Sequence, residues 1–421
     1  MKYLNSLRVV VEMWVFWYDW GMYRFIVALL FICGFVSAQD AVFSPMKASA
    51  PYSFVERSDW SRYDNGKYIG HVYHEARASI LPTQDSAAED GLLYQGNFIV
   101  LEETLRDMRR SARAVNAIVP ARFRISANGG YTLEEDNGFP SFRDFPIFPA
   151  NKTPLGSKWV AEGRRAVDPL NSGQMAIVPI VAEYTYQGVE EYKGVDVYRI
   201  KAKFSSKNGG VGVDHADFTR IQDVHDVDIL VRVKDGLLVF MRDQLDETFF
   251  LKDGSSVRFR GFTLIFTENI IPMDRKAIIT TLAKQTKKTE EEIPSTLIEG
   301  IDIVELPEGI QLSMKDVRFK PDSDEFLSQE AVRLDLIAQA LKQFPDRTFL
   351  VEGHTASVGQ VAAEMNLSTL RAKRMISEMI ARGIAEDRFL FKGWGGTKPL
   401  GDNATDAGRA QNRRVEITIL E

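Results

Sequence analysis

The sequence predicts an α+β multidomain protein in which an antiparallel β-rich barrel or half-barrel precedes a small βαβαββ sandwich. Three observations lead to this prediction. Residues 50–266 mostly follow a period of two, residues 328–344 and 367–382 follow a helical period, and a charged segment ended by proline separates the two regions. A chain of 421 residues is also long enough for two or three domains of ordinary size.

The first 38 residues have the pattern of an export signal. Phe25–Val36 is an uninterrupted apolar run that follows Arg24 and ends in Ser37-Ala38, where small residues suit a cleavage site. The run is shorter than the roughly 20 apolar residues that span a membrane. We therefore predict a signal peptide over residues 1–38, with an uncleaved N-terminal anchor as the alternative.

Charge and cysteine content exclude several classes of function. The chain has 52 Lys+Arg against 58 Asp+Glu and a net charge of −6, which argues against nucleic acid as a partner. The single cysteine, Cys33, lies in the predicted signal, so no disulfide and no thiolate metal cluster is available. An exported chain without disulfides has to be stabilised by its own apolar cores. We expect contact with a membrane only through the N-terminal segment or by association.

Residues 39–275 have the pattern of antiparallel strands joined by tight turns. Apolar and basic residues alternate along Tyr198–Phe204, as in a strand with one buried face. Asp235-Gly236 and Asp253-Gly254 each lie between two such runs and predict hairpins. Charged outer faces favour a soluble barrel over an outer-membrane barrel. One helix is predicted inside this region, at Glu103–Val115.

The same region contains potential metal ligands but no recognisable catalytic motif. On a strand, Asp223 and His225 would share one face, and Asp226 and Asp228 the other. Metal ligands have to converge in space, and nothing in the sequence indicates that these residues do. We therefore expect solvated charge at a strand edge, with no metal site and no cofactor. The absence of a nucleophile motif or a phosphate-binding glycine loop predicts a protein that is not an enzyme.

A linker and a second module complete the chain. Residues 276–307 are predicted to form a charged helical linker, because Lys276–Ile293 is helix-forming and Pro294 ends it. From residue 308 to residue 421, strand and helix patterns alternate. The predicted strands are Gln311–Phe319, Thr348–Val351, Arg388–Phe391 and Arg414–Leu420, and the predicted helices are 328–344 and Leu367–Arg382.

Short motifs in this last region point to one family. They are Glu352-Gly353-His354-Thr355, Gly359, Asn366-Leu367-Ser368, Arg371-Ala372, Gly383-Ile384, Gly393-Trp394-Gly395, Pro399 and Asn412-Arg413-Arg414-Val415-Glu416-Ile417. In order and spacing they resemble the OmpA-like, peptidoglycan-associating domain. The resemblance covers residues 308–421, and the whole layout is weakly similar to spirochaetal envelope proteins of this family.

The resemblance implies a binding site for the peptidoglycan stem peptide, whose diaminopimelate end carries a carboxylate and an ammonium. Arg371 matches the arginine that binds the carboxylate. The planar guanidinium of an arginine can make two parallel hydrogen bonds to a carboxylate. Ala356 stands where the family has the aspartate that pairs with the ammonium, and a methyl group cannot neutralise that charge. Asp322 is our candidate replacement. Thr355 and Asn366 complete the predicted site, although Asn366 can equally cap a helix and Arg371 can equally make a surface ion pair.

The resemblance therefore implies an exported envelope protein in the periplasm or outer membrane of a diderm bacterium. It would dock noncovalently on peptidoglycan, with weakened or altered stem-peptide binding, while the β-rich region could face an envelope protein partner. The first alternative is an interaction scaffold whose OmpA-like domain has lost cell-wall binding. A second alternative is an enzyme acting on envelope glycans or peptides, which would need acid and base groups that converge in the β-rich region.

Overall fold

A computed structural model of the chain describes residues 40–43, 50–83, 91–105, 112–134, 136–207, 218–270, 276, 296–298, 301–306, 308–315, 317–320 and 323–420. The predicted signal peptide and most of the predicted helical linker lie outside the described residues. No helix among the described residues combines the length and the apolar character needed to cross a membrane.

The β-rich region forms one antiparallel sheet of twelve strands, which nearly closes into a barrel. The spatial order is β6-β5-β3-β2-β1-β13-β12-β11-β10-β9-β8-β7. The strands are β1 (Tyr52–Asp64), β2 (Lys67–Pro82), β3 (Leu92–Leu105), β5 (Ala117–Ile125), β6 (Tyr131–Leu133), β7 (Phe142–Arg143), β8 (Lys158–Val167), β9 (Ala176–Tyr192), β10 (Val195–Ser206), β11 (Phe218–Arg232), β12 (Leu238–Leu251) and β13 (Ser256–Asn269). The predicted antiparallel barrel is thus confirmed.

The two ends of this sheet meet through side chains. Asp144 follows β7, and its Oδ1 accepts a hydrogen bond of 2.7 Å from the backbone N–H of Tyr131 on β6. Arg164 on β8 donates from Nε to Asp144 Oδ2 at 2.7 Å and from Nη2 to the Tyr131 carbonyl at 3.3 Å. These bonds supply partners to the backbone groups of an edge strand, which would otherwise be available to another chain.

The alternating pattern corresponds to strands with one buried face, as predicted. Tyr198, Ile200, Ala202 and Phe204 are all buried and belong to the largest apolar cluster of the barrel. The two Asp-Gly pairs lie in turns between consecutive antiparallel strands, and their glycines adopt φ of +73° and +87°. Because such angles are strained for residues with a Cβ, the sequence had to place glycine there.

The predicted helix at Glu103–Val115 is wrong at both of its ends. Residues 103–105 continue β3, whose pairing with β2 extends to the His71–Leu105 register pair. Arg113–Ala114 forms a short strand, β4, while residues 106–111 lie outside the described residues. Hydrogen bonds to neighbouring strands outweigh the local helix propensity of this segment, which is only a weak determinant of structure.

The C-terminal region is a second sheet with helices packed on it. The sheet order is β14-β15-β16-β19-β17-β18-β4. Its elements are β14 (Thr296–Ile298), β15 (Ile301–Leu306), β16 (Gly309–Met314), α1 (Ala331–Lys342), β17 (Phe349–Gly353), α2 (Val361–Ala381), β18 (Phe389–Gly393), α3 (Asp406–Asn412) and β19 (Val415–Leu420), with 3-10 turns at Ser328–Glu330 and Glu386–Arg388.

This order confirms the predicted βαβαββ succession and adds two features. The short helix α3 lies between the last two strands, and it was not predicted because seven residues give too little periodic signal. The strands β14 and β15 fall inside the stretch predicted as helical linker, and that prediction is wrong for Thr296–Ile298 and Ile301–Leu306. The strand β15 pairs with β16, and β14 pairs with β15, so the sheet is extended by two strands.

The two sheets meet at β4, which comes from the β-rich part of the chain but pairs in parallel with β18. The backbone N–H of Val115 donates to the Phe391 carbonyl at 2.8 Å, and Lys392 Nζ donates to the Asn116 carbonyl at 2.6 Å. An apolar cluster continues the contact and contains Ile99, Leu101, Val115, Leu350, Leu390 and Leu420. The two regions therefore share both a sheet edge and a small core.

A buried ion cluster on β2 reinforces this junction. The Glu75 carboxylate is fully buried and accepts hydrogen bonds from Tyr73, Arg57, Arg77 and, through the β4 contact, Arg113. Burial alone would raise the pKa of Glu75, but Arg77 and Arg113 outweigh it and lower the pKa to about 2. Because Arg113 belongs to β4, the cluster ties the barrel wall to the strand that completes the C-terminal sheet.

Candidate functional site

Arg371, the central residue of the predicted site, lies on the inner face of α2. Its side chain is buried, with 6% of its surface exposed. The guanidinium stacks over the Phe319 ring at 4.4 Å, and Nε donates to the Ser323 carbonyl at 3.2 Å. These contacts hold the plane of the guanidinium in one orientation, as recognition of a planar carboxylate requires. The interpretation of Arg371 as a surface ion pair does not fit this burial.

The loop over Arg371 is shaped by two aromatic rings. Phe319 and Phe326 form an isolated antiparallel bridge, and their rings stack at 4.5 Å. This closes the loop on itself and presents the Ser323 carbonyl to α2. Asp322, the predicted substitute for the missing aspartate, lies outside the described residues, and its role stays a prediction.

Thr355 and Ala356 follow β17, and hydrogen bonds through Gly395 link Thr355 to the same helix. The Thr355 N–H donates to the Gly395 carbonyl at 2.9 Å, and the Gly395 N–H donates to Ser368 Oγ at 2.8 Å. Ser368 precedes Arg371 by one helical turn, so the two side chains share a face of α2. Thr355 is 6% exposed and Ala356 9%. Thr355 Oγ1 is buried without a hydrogen-bond partner among the described residues.

The close packing of α2 on β17 depends on Gly353. A Cβ on this residue would lie 2.1 Å from the Ser368 carbonyl oxygen. This distance is far below van der Waals contact, so a methyl group would push the helix away from the sheet. Gly353 thereby brings the end of β17, with Thr355 and Ala356, close to the helix that carries Arg371.

The interpretation of Asn366 as a helix cap is wrong. The helix begins at Val361, five residues earlier, and Asn366 is exposed within it. The start of the helix is instead stabilised by Glu364, whose Oε1 accepts the N–H groups of Val358 at 2.6 Å and Gln360 at 3.1 Å. These backbone bonds lower the pKa of Glu364. The signal missed in the sequence was an acidic residue in a first helical turn, where it satisfies free N–H groups.

His354, in the first of the family motifs, is a buried and hydrogen-bonded histidine. It is 1% exposed, and its Nε2 lies 3.1 Å from Glu416 Oε2 on β19. Arg414 Nε donates to the other oxygen of Glu416 at 2.7 Å. Burial raises the pKa of Glu416, but His354 and Arg414 outweigh it and lower the pKa to about 2. This network joins the last strand to the segment after β17, which is a structural role.

A second group of charged residues lies inside the barrel, where solvated strand-edge charge was expected. That expectation is wrong for His225, which is fully buried between Asp243, 2.9 Å from its Nδ1, and Arg165, 3.0 Å from its Nε2. Arg165 also donates to Glu247 at 2.8 Å. Burial opposes the charged imidazole, but Asp243 and Asp223 outweigh it and raise the pKa of His225. Arg165, Asp243 and Glu247 were missed because they lie far apart in sequence.

Asp223, His225 and Glu247 each offer a ligand atom within 4.8 Å of the others, a spacing compatible with a metal ion. The Arg165 guanidinium, however, contacts both His225 and Glu247. It therefore places a positive charge against two of the three groups, where a metal ion would have to bind them. We interpret the cluster as an ion network.

Comparison with known proteins identifies the C-terminal region. Residues 318–413 match the model of the OmpA family. This part of the chain is thus a domain of the OmpA family, as its motifs indicated.

The similar proteins each match a limited share of the chain. Outer membrane porin F of Pseudomonas fluorescens is 36% identical over 104 residues, which cover 25% of this chain and 32% of that protein. Peptidoglycan-binding protein ArfA of Mycobacterium bovis is 35% identical over 103 residues, covering 24% and 32%. This chain thus spans about a third of the length of these relatives. A solved outer membrane protein structure from Borrelia burgdorferi B31 is 36% identical, covers 29% of this chain and 97% of that chain, and has a TM-score of 0.25.

Proposed function

We propose that this protein is an exported, non-enzymatic protein of the bacterial envelope and that its OmpA-family domain docks noncovalently on peptidoglycan. The observation that carries the proposal is the buried, oriented guanidinium of Arg371 on α2, the helix that Ser368 and Gly395 link to Thr355 after β17. A domain of the same family occurs in proteins named as peptidoglycan-binding, such as ArfA. Because arginine stays charged at all physiological pH values, binding through Arg371 would tolerate changes of pH.

The ligand would be the free end of a stem peptide, with Arg371 on its carboxylate. A guanidinium makes two parallel hydrogen bonds to a carboxylate, which fixes the orientation of the peptide. The buried Thr355 hydroxyl would supply a further hydrogen bond to the bound peptide, because it has no partner among the described residues.

Ala356 would weaken or alter the recognition of the ligand's ammonium. Burying an ammonium without a counter-charge costs several kcal/mol of binding free energy. A cost of about 3 kcal/mol weakens binding roughly hundredfold. Asp322 remains our candidate for a replacement carboxylate, since Ser323, the next residue, contacts Arg371 through its carbonyl. The alternative function, a scaffold that no longer binds the cell wall, rests on the same substitution at Ala356.

Co-sedimentation of the purified protein with sacculi that contain diaminopimelate tests the proposal. We expect Arg371→Ala to reduce the bound fraction at least tenfold. Arg374→Ala is the matched control, because Arg374 lies on the same helix but is 40% exposed and pairs with Glu378. Equal loss in the two variants, or no sedimentation of the wild type, would favour the scaffold. An unchanged urea midpoint in Arg371→Ala would exclude unfolding as the cause of lost binding.

The Ala356→Asp variant tests the weakened ammonium subsite. We expect it to bind sacculi more tightly than the wild type, by up to about a hundredfold, because it restores a carboxylate beside the ligand's ammonium. Binding no tighter than that of the wild type would mean that Ala356 does not limit recognition.

A further inference from the structure

A cavity of about 470 Å³ lies inside the barrel. Its lining extends from exposed residues, such as Asn116 and Ser172, to fully buried ones, such as Asp243. The cavity therefore opens at the surface and reaches the ion network of the barrel interior. Its volume falls within the range of roughly 300–1,000 Å³ that is typical of sites for small organic ligands. Arg371 is not among the residues that line this cavity, and the inference drawn from it does not depend on peptidoglycan binding.

Aromatic rings form much of the cavity wall. The Trp60 and His74 rings are nearly parallel, at 4° and 6.4 Å, and the His74 and Phe139 rings are stacked at 5° and 6.4 Å. Phe142, Phe249 and Phe259 also line the cavity. Aromatic faces bind apolar groups, and their negative faces attract cations.

The polar lining is strongly acidic. Five carboxylates line the cavity, those of Glu56, Glu102, Asp168, Asp243 and Glu247. Among the described lining residues, they face a single arginine, Arg165. Burial lowers the pKa of His74 to about 4, so this residue is neutral at physiological pH and adds no positive charge. The cavity therefore presents a negative potential to a ligand.

Acidic groups also outnumber basic groups at the buried end. There Arg165 and His225 lie among four carboxylates, those of Glu56, Asp223, Asp243 and Glu247. Burial raises the pKa of Glu56 to about 7, and once Glu56 is ionised the two basic groups cannot neutralise the four acids, even with His225 protonated. Uncompensated charge is costly in a dry interior, so this end of the cavity favours the uptake of positive charge.

We propose that the barrel cavity binds a small amphiphilic amine, with its ammonium at Glu56 and Asp243 and its apolar body between the aromatic side chains. Glu56 is the best placed acceptor, because among the described residues its carboxylate accepts one side-chain hydrogen bond, that from Ser141 Oγ at 2.5 Å. Trp60 Nε1 and His74 Nδ1 are buried and have no hydrogen-bond partner among the described residues. A ligand with a hydroxyl or carbonyl group beside the amine would satisfy Trp60, which is a donor only.

A matched series of fluorescent probes tests this inference on the purified protein. Dansylcadaverine carries a primary ammonium on an aromatic body, and its N-acetyl derivative has the same body without charge. We expect dansylcadaverine to bind with enhanced fluorescence and at least tenfold more tightly than the acetylated probe, because only the ammonium can neutralise the buried carboxylates. Equal affinity for the two probes, or no binding of either below millimolar concentration, would overturn the inference.

Variants locate the site. Glu56→Gln keeps the shape of the side chain and should weaken dansylcadaverine binding about tenfold while leaving the acetylated probe unaffected. Ala117→Trp, which adds bulk on the cavity lining, should abolish binding of both probes. Glu183→Gln is the control, because Glu183 is an exposed carboxylate that pairs with Lys158 away from the cavity lining. Loss of binding in this control, or unchanged affinity in Glu56→Gln, would contradict the assignment.

Discussion

Glu56, on β1, makes the stability of the barrel depend on pH in an unusual direction. Its side chain is 6% exposed. Burial raises its pKa from 4.5 to about 7, although the hydrogen bond from Ser141 and the charge of Arg165 oppose the rise, and the charge of Asp243 adds to it. Between pH 4.5 and 7 the folded protein therefore keeps a proton that the unfolded chain has already released.

The sign and the size of the effect follow from this difference. The stabilising contribution of Glu56 is fully present below about pH 4.5 and is lost as the pH rises through about 7, because the folded state binds more protons over this range. The difference between 4.5 and about 7 corresponds to about 3 kcal/mol at roughly 1.4 kcal/mol for each pH unit. This is a large part of the total stability of a typical domain, about 5–15 kcal/mol.

Replacing Glu56 by Gln isolates this contribution, because Gln has the same shape and does not ionise. We expect the free energy of unfolding of Glu56→Gln to exceed that of the wild type by about 3 kcal/mol at pH 8, and the gap to close towards pH 4.5. Urea unfolding followed by tryptophan fluorescence is a suitable assay, since Trp60 and Trp159 lie in the barrel. The difference between the two proteins cancels the titration of groups that they share.

Two results would refute this reasoning. A constant difference between the variant and the wild type across pH 4.5–8 would mean that Glu56 does not titrate in this range. A variant less stable than the wild type at pH 8 would mean that the ionised carboxylate is favourably paired in the barrel. Glu183→Gln is the matched control, and it should follow the wild-type curve, because Glu183 is 56% exposed.

Three further changes test other parts of the structure. Burial lowers the pKa of His74, so the wild type should lose up to about 3 kcal/mol of stability as the pH falls from 6.5 towards 4. His74→Gln should not show this loss, and equal acid sensitivity of the two proteins in urea unfolding would contradict the prediction. Glu75→Gln should cost about 3–5 kcal/mol at pH 7 in thermal unfolding, since three arginines lose their buried counter-charge. That cost should shrink as the pH falls below 4.5 towards 2, and a cost under 1 kcal/mol at pH 7 would count against the cluster. Gly353→Ala should destabilise the OmpA-family domain by about 1–3 kcal/mol, because its methyl group would lie 2.1 Å from the Ser368 carbonyl oxygen, and an unchanged urea midpoint would refute this close packing.

Local patterns in the sequence determined the fold class. Alternation in Tyr198–Phe204 and the Asp-Gly turns specify strands and hairpins through sterics that act within a few residues. The succession of elements in the C-terminal domain follows in the same way from hydrophobic periodicity. The motifs around Arg371 and Ala356 also identified the family, because each motif is contiguous in sequence.

The tertiary structure decided what long-range contacts control. Glu103–Val115 has helical propensity, yet its described ends are strands, because β2 and β18 offer them hydrogen-bonding partners far away in sequence. The start of α2 at Val361 depends on Glu364 and the turn before the helix. No typical cap residue in the sequence indicated this start. In both places the competing structures are close in local energy, and a few long-range hydrogen bonds select between them.

The barrel interior shows the same division most clearly. The sequence showed that Asp223 and His225 share a strand face, but their surroundings depend on residues of other strands. Arg165 on β8 and Asp243 and Glu247 on β12 reach His225 only once the sheet has curled into a barrel. Whether a charged side chain meets water or a buried partner is set by curvature and register over twelve strands, and these are collective properties of the folded sheet.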